Sequence, residues 1–157
     1  MDVTETLDAD CALDDLRTWV RDLDRYPAWL SIVPRADLEA ASAEGSPEAE
    51  RDGHPAWAVE LRAKLGPLAR SKRLRMVRTL DESDHVRFER WETDGKDHSP
   101  WVLDARIEEV ETGSRLTMML HYGGNFGVGL LEKLLRDEIE ESKPRLRALV
   151  EEGGQAP

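Results

Sequence analysis

The residue types that most often perform chemistry are few in this chain and widely separated. The four histidines are His54, His85, His98 and His121. None of them forms a pair at the i, i+2 or i, i+4 spacing that places two metal ligands on one face of a strand or helix. We therefore expect neither a metal site nor a cofactor.

Two further features resemble reactive motifs but have simpler explanations. Cys11 is the single cysteine, and at a predicted helix start its thiol pKa could be lowered, although the role of a small buried hydrophobe is favoured. Residues 124–129 read Gly-Asn-Phe-Gly-Val-Gly, which differs in spacing from a dinucleotide-binding loop and precedes no parallel strand. These glycines are better explained by a sharp entry into the last helix.

Arg78 and Arg90 are the charged residues with the most informative positions. Strict alternation from Met76 and from Phe88 would place both arginines on the inner face of a sheet. A buried arginine needs a partner, either an internal acid such as Glu92 or an anionic group on a ligand. A β-bulge that turns them outward is the alternative.

The elements that would position these residues begin with a short strand and two helices. Residues 3–7 alternate weakly, and a helix of roughly 12 residues should begin near Cys11, with Asp8 and Asp10 as candidate N-caps. Pro27 then permits a second short helix, which Pro34 closes. We expect residues 39–55, rich in Ala, Ser, Glu, Gly and Pro, to form a solvated loop after the end of a strand.

Consecutive strands and one long helix follow. Period-two patterns predict strands at residues 56–65, 73–80, 85–92, 101–108 and 116–122, which connect as an antiparallel meander. From residue 128 an apolar stripe at helical spacing, widened by Leu130 and Leu134, continues for about six turns, with a kink or break expected near Pro144. Residues 153–157 should form a disordered tail after a single domain of residues 1–152.

The strand residues assigned to the inner face are rich in aromatic and sulfur-containing side chains. Such a face can enclose a cavity or be filled by a core, and residue content alone fits both. If a cavity exists, the predicted wall and helical lid are Trp57, Leu61, Met76, Arg78, Phe88, Arg90, Trp101, Leu103, Met118, Leu120, Tyr122, Leu131 and Leu135.

Composition excludes several classes of function. A net charge of −11 disfavours a nucleic-acid binder, and no apolar run approaches the length of a membrane span. No signal peptide is evident, so a cytoplasmic location is expected. Residues 60–78 nevertheless carry seven Lys or Arg against one acid. We expect a solvated sheet face there, with an anion-binding or acidic-partner patch as the alternative.

The order strand, helix, helix, meander and long helix resembles that of the SRPBCC superfamily, also called START-like or helix-grip proteins. The run Asp22-Leu23-Asp24-Arg25-Tyr26-Pro27-Ala28-Trp29-Leu30 is similar to the family's junction between its first two helices, and residues 115–118, Arg-Leu-Thr-Met, resemble its last strand. Within the superfamily, these residue runs most resemble the polyketide cyclase/dehydrase and lipid-transport group. The resemblance implies an α+β fold, with a curved antiparallel sheet of about six or seven strands around a long C-terminal helix.

Three functions remain open at this stage. The first, favoured by the resemblance, is binding and carriage of a small hydrophobic or aromatic molecule. The second is a polyketide cyclase or dehydratase that uses one or two of Tyr122, His121, Arg78 and Arg90. The third is a regulatory or toxin-like interaction domain. An enzyme should bring two polar groups together inside the cavity, a carrier one or none, and an interaction domain should have a filled interior.

Overall fold

The computed structural model describes residues 1–40, 54–65, 68–125 and 128–155. Strand β1 (Asp2–Ala9) is followed by helix α1 (Leu13–Val20) and a 3-10 helix (Leu23–Ala28). Six strands come next: β2 (Arg35–Leu38), β3 (Ala56–Leu65), β4 (Leu68–Asp81), β5 (His85–Arg90), β6 (Trp101–Val110) and β7 (Gly113–Tyr122). Helix α2 (Val128–Gln155) closes the chain.

Two short helices follow β1 as the sequence predicts, but α1 is shorter, and the second is a 3-10 helix that ends at Ala28 rather than at Pro34. Helix α1 spans 8 residues, because it begins only after the N-cap Ala12 and ends at Val20, before the 3-10 helix starts at Leu23. Asp8 and Asp10 are therefore not the cap, and the Asp15 carboxylate accepts a hydrogen bond from the Ala12 amide at 3.1 Å instead. The buried Tyr26 hydroxyl donates to the Val20 carbonyl at 2.9 Å, which fixes the 3-10 helix against the end of α1.

All strands belong to one antiparallel sheet in the order β1-β7-β6-β5-β4-β3-β2. The first strand pairs with the last, Val3 lying opposite Leu120, while the other neighbours follow one another in sequence. The predicted meander is therefore confirmed, with the short strand β2 added at one edge. A register shift between Arg78 and Leu80 in β4 is the bulge that the alternation could not locate.

Helix α2 lies across the concave face of the sheet. It runs as one helix through Pro144, so of the predicted kink or break the break does not occur. Its buried stripe includes Leu135, Ser142, Leu146 and Val150. The predicted tail begins inside this helix. Residues 156–157 and most of the predicted loop at 39–55 lie outside the described residues.

The two ends of the concave face differ in how they are filled. Under α1 and the 3-10 helix, four aromatic rings pack together: Tyr26 lies 4.8 Å from Trp29 and 6.3 Å from Phe88, and Phe88 lies 5.6 Å from Trp57, as ring-centroid distances. Offset and edge-on ring contacts of this kind are favourable. Trp57 and Phe88 thus lie in a packed core, and a larger space lies toward the start of α2.

Candidate ligand-binding site

A cavity opens between strands β3, β4, β6 and β7 and the first turns of α2. Its volume is about 460 Å³, within the range of roughly 300–1,000 Å³ typical of small-molecule sites. We call it the outer chamber. Its lining residues are Ile32, Leu61, Ala63, Arg70, Ser71, Lys72, Trp101, Tyr122, Leu130, Leu131, Leu134 and Leu135.

A second space of about 110 Å³, the inner chamber, lies deeper between the sheet and α2. Every residue around it is apolar or aromatic: Val3, Leu23, Tyr26, Trp29, Leu30, Ile32, Val33, Val59, Leu61, Leu74, Met76, Trp101, Leu103, Met118, Leu120, Leu135 and Ile139. Ile32, Leu61, Trp101 and Leu135 line both chambers. The two chambers therefore adjoin, and small shifts of these shared side chains would alter the space available to a ligand.

Trp101 and Tyr122 are the aromatic residues at this junction. They are paired across β6 and β7, and their ring centroids lie 4.6 Å apart. The buried Trp101 Nε1 has no hydrogen-bond partner among the described residues, and the Tyr122 hydroxyl makes no hydrogen bond within them. An unpaired buried donor costs about 1–3 kcal/mol. A ligand atom that accepts a hydrogen bond would relieve that cost.

The structure brings nine of the predicted cavity residues together around the two chambers. These are Leu61, Met76, Trp101, Leu103, Met118, Leu120, Tyr122, Leu131 and Leu135. Trp57, Phe88, Arg78 and Arg90 line neither chamber. Trp57 and Phe88 share the inner face but belong to the aromatic core beneath the short helices, where Trp57 Nε1 donates to Asp24 at 2.9 Å.

Arg78 lies near the 3-10 helix and has protein partners. Its Nη1 donates to the Arg21 carbonyl at 2.6 Å and to the Asp22 carboxylate at 2.8 Å. Its guanidinium also lies 5.4 Å from the centroid of Trp57, a cation–π distance. These contacts match the internal-acid alternative, with Asp22 as the acid, and they leave Arg78 away from the chambers.

Arg90 is satisfied in the same manner by the acid that the sequence indicated. Its Nε donates to Glu92 at 2.9 Å, and its Nη1 donates to the Ser99 carbonyl at 3.2 Å. Burial raises the pKa of Glu92, but hydrogen bonds from the Arg75 amide and Arg90 outweigh it, so the pKa lies below its usual value. The carboxylate is thus charged where Arg90 needs it.

Asp81 completes the charged cluster around Arg78. We expect its carboxylate to make the free energy of unfolding depend on pH in acid. Burial raises its pKa, but hydrogen bonding to Arg21 and the charges of Arg78 and Arg17 lower it below the ordinary 3.8. A depressed carboxyl pKa stabilises the fold above the unfolded value and loses that effect as pH falls through the folded value. Wild-type protein should therefore lose unfolding free energy more steeply below about pH 4 than Asp81→Asn, as urea titrations across pH would measure.

Parallel pH curves for the two proteins would contradict this assignment of Asp81. Asp37→Asn is the matched control. Its carboxylate also pairs with an arginine, Arg35, but both side chains are more than half exposed. Exposed pairs contribute little, so this variant should retain the wild-type acid dependence.

Sequence reasoning missed several residues around the chambers. Ile32, Leu130 and Leu134 line the outer chamber, and Tyr26, Trp29 and Val33 line the inner one. Leu130 and Leu134 widen the apolar stripe of α2, so helical periodicity contained their signal. The residues of the 3-10 helix and the segment after it carried no periodic signal, since their contacts depend on how that segment folds over the sheet.

The other reactive residue types lie outside this site. His121 faces away from the chambers, with 48% of its side chain exposed and Nδ1 2.8 Å from Asp2. Burial, and then the nearby Asp15, Glu151 and Asp10, raise the pKa of the Cys11 thiol to about 11, so this thiol is not activated. Within the described residues, no group of three or more His, Cys, Asp or Glu could hold a metal ion.

A seven-stranded antiparallel sheet that encloses a long C-terminal helix, with short helices after the first strand, is the helix-grip, START-like fold. The model of the family described as polyketide cyclase / dehydrase and lipid transport matches residues 1–151. The chain therefore belongs to this family, as the sequence resemblance predicted. A comparison with curated protein sequences found no match.

Solved structures support the same fold at low sequence identity. A START superfamily protein from Mycobacterium smegmatis superposes with a TM-score of 0.70 at 15% identity, covering 96% of this chain and 97% of that one. A protein from Thermus thermophilus gives a TM-score of 0.65 at 18% identity, covering 97% of this chain and 95% of that one.

The third similar structure is the di-domain ARO/CYC StfQ from the steffimycin biosynthetic pathway. Its TM-score is 0.68 at 16% identity, and the match covers 99% of this chain but 52% of StfQ. The chain thus spans about half the length of that protein. At these identities the comparisons establish the fold.

In the described part of this chain, no helix is long and apolar enough to cross a membrane.

Proposed function

We propose that this protein binds a small hydrophobic or aromatic molecule in the outer chamber, with part of the ligand reaching toward the inner chamber. The observation that carries the proposal is the outer chamber itself, which has a ligand-sized volume of about 460 Å³ and a wall built largely from leucine and aromatic side chains. Membership of a family named for cyclases, dehydrases and lipid transport supports a small-molecule ligand.

The positions of the four candidate catalytic residues favour binding over catalysis by these residues. Of the four residues considered for a cyclase or dehydratase, only Tyr122 lines a chamber. Arg78 and Arg90 are paired with internal acids, and His121 is on the outer face. General acid–base catalysis requires a group within hydrogen-bond reach of the reacting atom, and three of these four candidates lie elsewhere.

The unpaired Trp101 Nε1 and the Tyr122 hydroxyl refine the chemistry of the ligand. Both side chains belong to the wall of the outer chamber, and neither group is satisfied within the described residues. A ligand with a carbonyl, ether or phenol oxygen on an apolar body could accept a hydrogen bond from them. Such a ligand gains more than a pure hydrocarbon would, because the buried Trp101 Nε1 is then no longer unpaired.

Filling the outer chamber should abolish binding of an apolar aromatic probe. Ala63 lies on the inner face of β3 and lines this chamber, so Ala63→Trp would place an indole in the ligand's space. We expect the neutral probe N-phenyl-1-naphthylamine to bind wild type and to lose at least tenfold in affinity with this variant. Equilibrium dialysis is the measurement, since an added indole does not disturb it.

Ala58→Trp is the matched control. Ala58 is exposed on the same strand and faces the opposite side of the sheet, so the same substitution should leave probe binding unchanged. Equal affinities for wild type and Ala63→Trp, or no binding by wild type, would refute the proposed site. Native mass spectrometry of the purified protein should in addition reveal any molecule retained from the expression host.

A further inference from the structure

Two cationic side chains at the mouth of the outer chamber have no carboxylate partner in the described part of the protein. Arg70 and Lys72 lie on β4 opposite Ala63 and Leu61, so they share the register of the inner face. Both line the outer chamber and both are exposed. Neither side chain forms an ion pair or hydrogen bond within the described residues.

Unpaired cations also occur elsewhere in the described residues, as at Arg62 and Arg73, but Arg70 and Lys72 differ from those two in lining the outer chamber. Further along β4, Arg75 pairs with Glu39 at 2.8 Å and Arg78 with Asp22 at 2.8 Å. Arginines with a carboxylate partner also occur throughout the described residues: Arg17, Arg21, Arg35, Arg87, Arg90, Arg115 and Arg136. In a chain of net charge −11, acidic partners are abundant, yet no described acid pairs with a cation at the mouth.

An apolar chamber with free cations at its rim is complementary to a molecule that has an apolar body and an anionic end. The leucines of α2 and Leu61 would contact the body. Arg70 and Lys72 would remain in contact with water and meet a carboxylate, sulfate or phosphate without the desolvation cost of a buried charge. We propose, on the basis of the function proposed above, that the ligand of this chamber is an anionic amphiphile held head-outward at Arg70 and Lys72.

The same chemistry occurs in free amphiphiles and in the headgroups of bilayer lipids, and we assign the site to a free, monomeric molecule. The outer chamber, at about 460 Å³, has room for one short chain, and both cations border that chamber. The probe is therefore decanoate at about pH 8, where a carboxyl group is fully ionised. Decanol and decyltrimethylammonium carry the same chain with a neutral or a positive head.

Isothermal titration calorimetry on the full chain provides the test. Wild type should bind decanoate about tenfold more tightly than decanol, and decyltrimethylammonium should bind most weakly. The double variant Arg70→Gln/Lys72→Gln should lose about tenfold in decanoate affinity and leave decanol affinity unchanged. Exposed ion pairs are screened, so raising the ionic strength should reduce the preference of wild type for decanoate.

Arg62→Gln/Arg73→Gln is a control of equal charge on the same hairpin. Arg62 and Arg73 are exposed and unpaired within the described residues, but their register places them on the outer face. This variant should bind decanoate as wild type does. An equal loss in both double variants would show that net charge, rather than the rim position, governs affinity, and it would overturn the proposal.

Two further outcomes separate this inference from the proposed function. If decanoate and decanol bind equally and the rim variant binds both, the head-outward assignment fails while the hydrophobic site stands. If neither probe binds, the proposed function fails with it. Cosedimentation with phosphatidylglycerol vesicles, but not with phosphatidylcholine vesicles, in the absence of decanoate binding would assign the cations to a lipid surface and overturn the free-ligand proposal.

Discussion

Replacing Trp29 with alanine is expected to lower the free energy of unfolding by about 3–5 kcal/mol. The Trp29 ring is buried, at 4% exposure, and packs against Tyr26 with a centroid distance of 4.8 Å. Its Nε1 donates to the Trp19 carbonyl at 3.3 Å. It also borders a small gap together with Leu116 of β7 and Leu146 of α2. Loss of this ring would remove contacts that join the 3-10 helix to the sheet and to α2.

Urea denaturation measures the effect, and Trp91→Ala is the matched control. Trp91 is 48% exposed, so its removal should change the unfolding free energy by no more than about 0.5 kcal/mol. Trp29→Phe keeps most of the packing and loses the hydrogen bond, so its stability should fall between the other two. If Trp29→Ala and Trp91→Ala unfold at the same urea concentration, the ring does not join these elements.

The position of Trp57 shows what the sequence could predict about this fold. Alternation in β3 correctly placed Trp57 on the inner face, because side-chain parity is a local property of a strand. It could not say whether the ring borders a cavity or a core, since that depends on which helix covers that part of the sheet. The 3-10 helix covers Trp57, and Asp24 accepts its indole N–H at 2.9 Å.

Local sequence patterns have the same limit for the leucines of α2 and for the charged residues of β4: they indicate a face but not which residues from other elements lie against it. The stripe of α2 identified Leu131 and Leu135 as facing the sheet, and both line the outer chamber. The sequence indicated Arg78 but not Arg70 or Lys72 as a ligand contact, because the predicted strand began at residue 73 and the basic stretch was expected to form a solvated face. Their roles differ through the acids that other elements bring: Asp22 and Asp81 approach Arg78, whereas no described acid pairs with Arg70 or Lys72.

Arg78→Met is expected to lower the free energy of unfolding by about 2–3 kcal/mol and to leave ligand affinity unchanged. Only 11% of the Arg78 side chain is exposed, and methionine would retain much of the apolar stem while deleting the charge. The Arg21 carbonyl and the Asp22 carboxylate would each lose a donor. Asp22 is 32% exposed, so water recovers part of its solvation and the cost stays below that of a fully buried pair.

A double-mutant cycle with Asp22→Asn isolates the contribution of the pair. If Arg78 serves the fold, the cycle should give a coupling energy of roughly 1–2 kcal/mol in denaturant unfolding, the same with and without decanoate. Arg35→Met is the control, because Arg35 pairs with Asp37 at 2.6 Å but is 68% exposed, and its removal should cost under about 1 kcal/mol. An Arg78→Met protein of full stability that no longer binds decanoate would instead assign Arg78 to the ligand, and the anionic head would then lie at the inner end of the site rather than at its mouth.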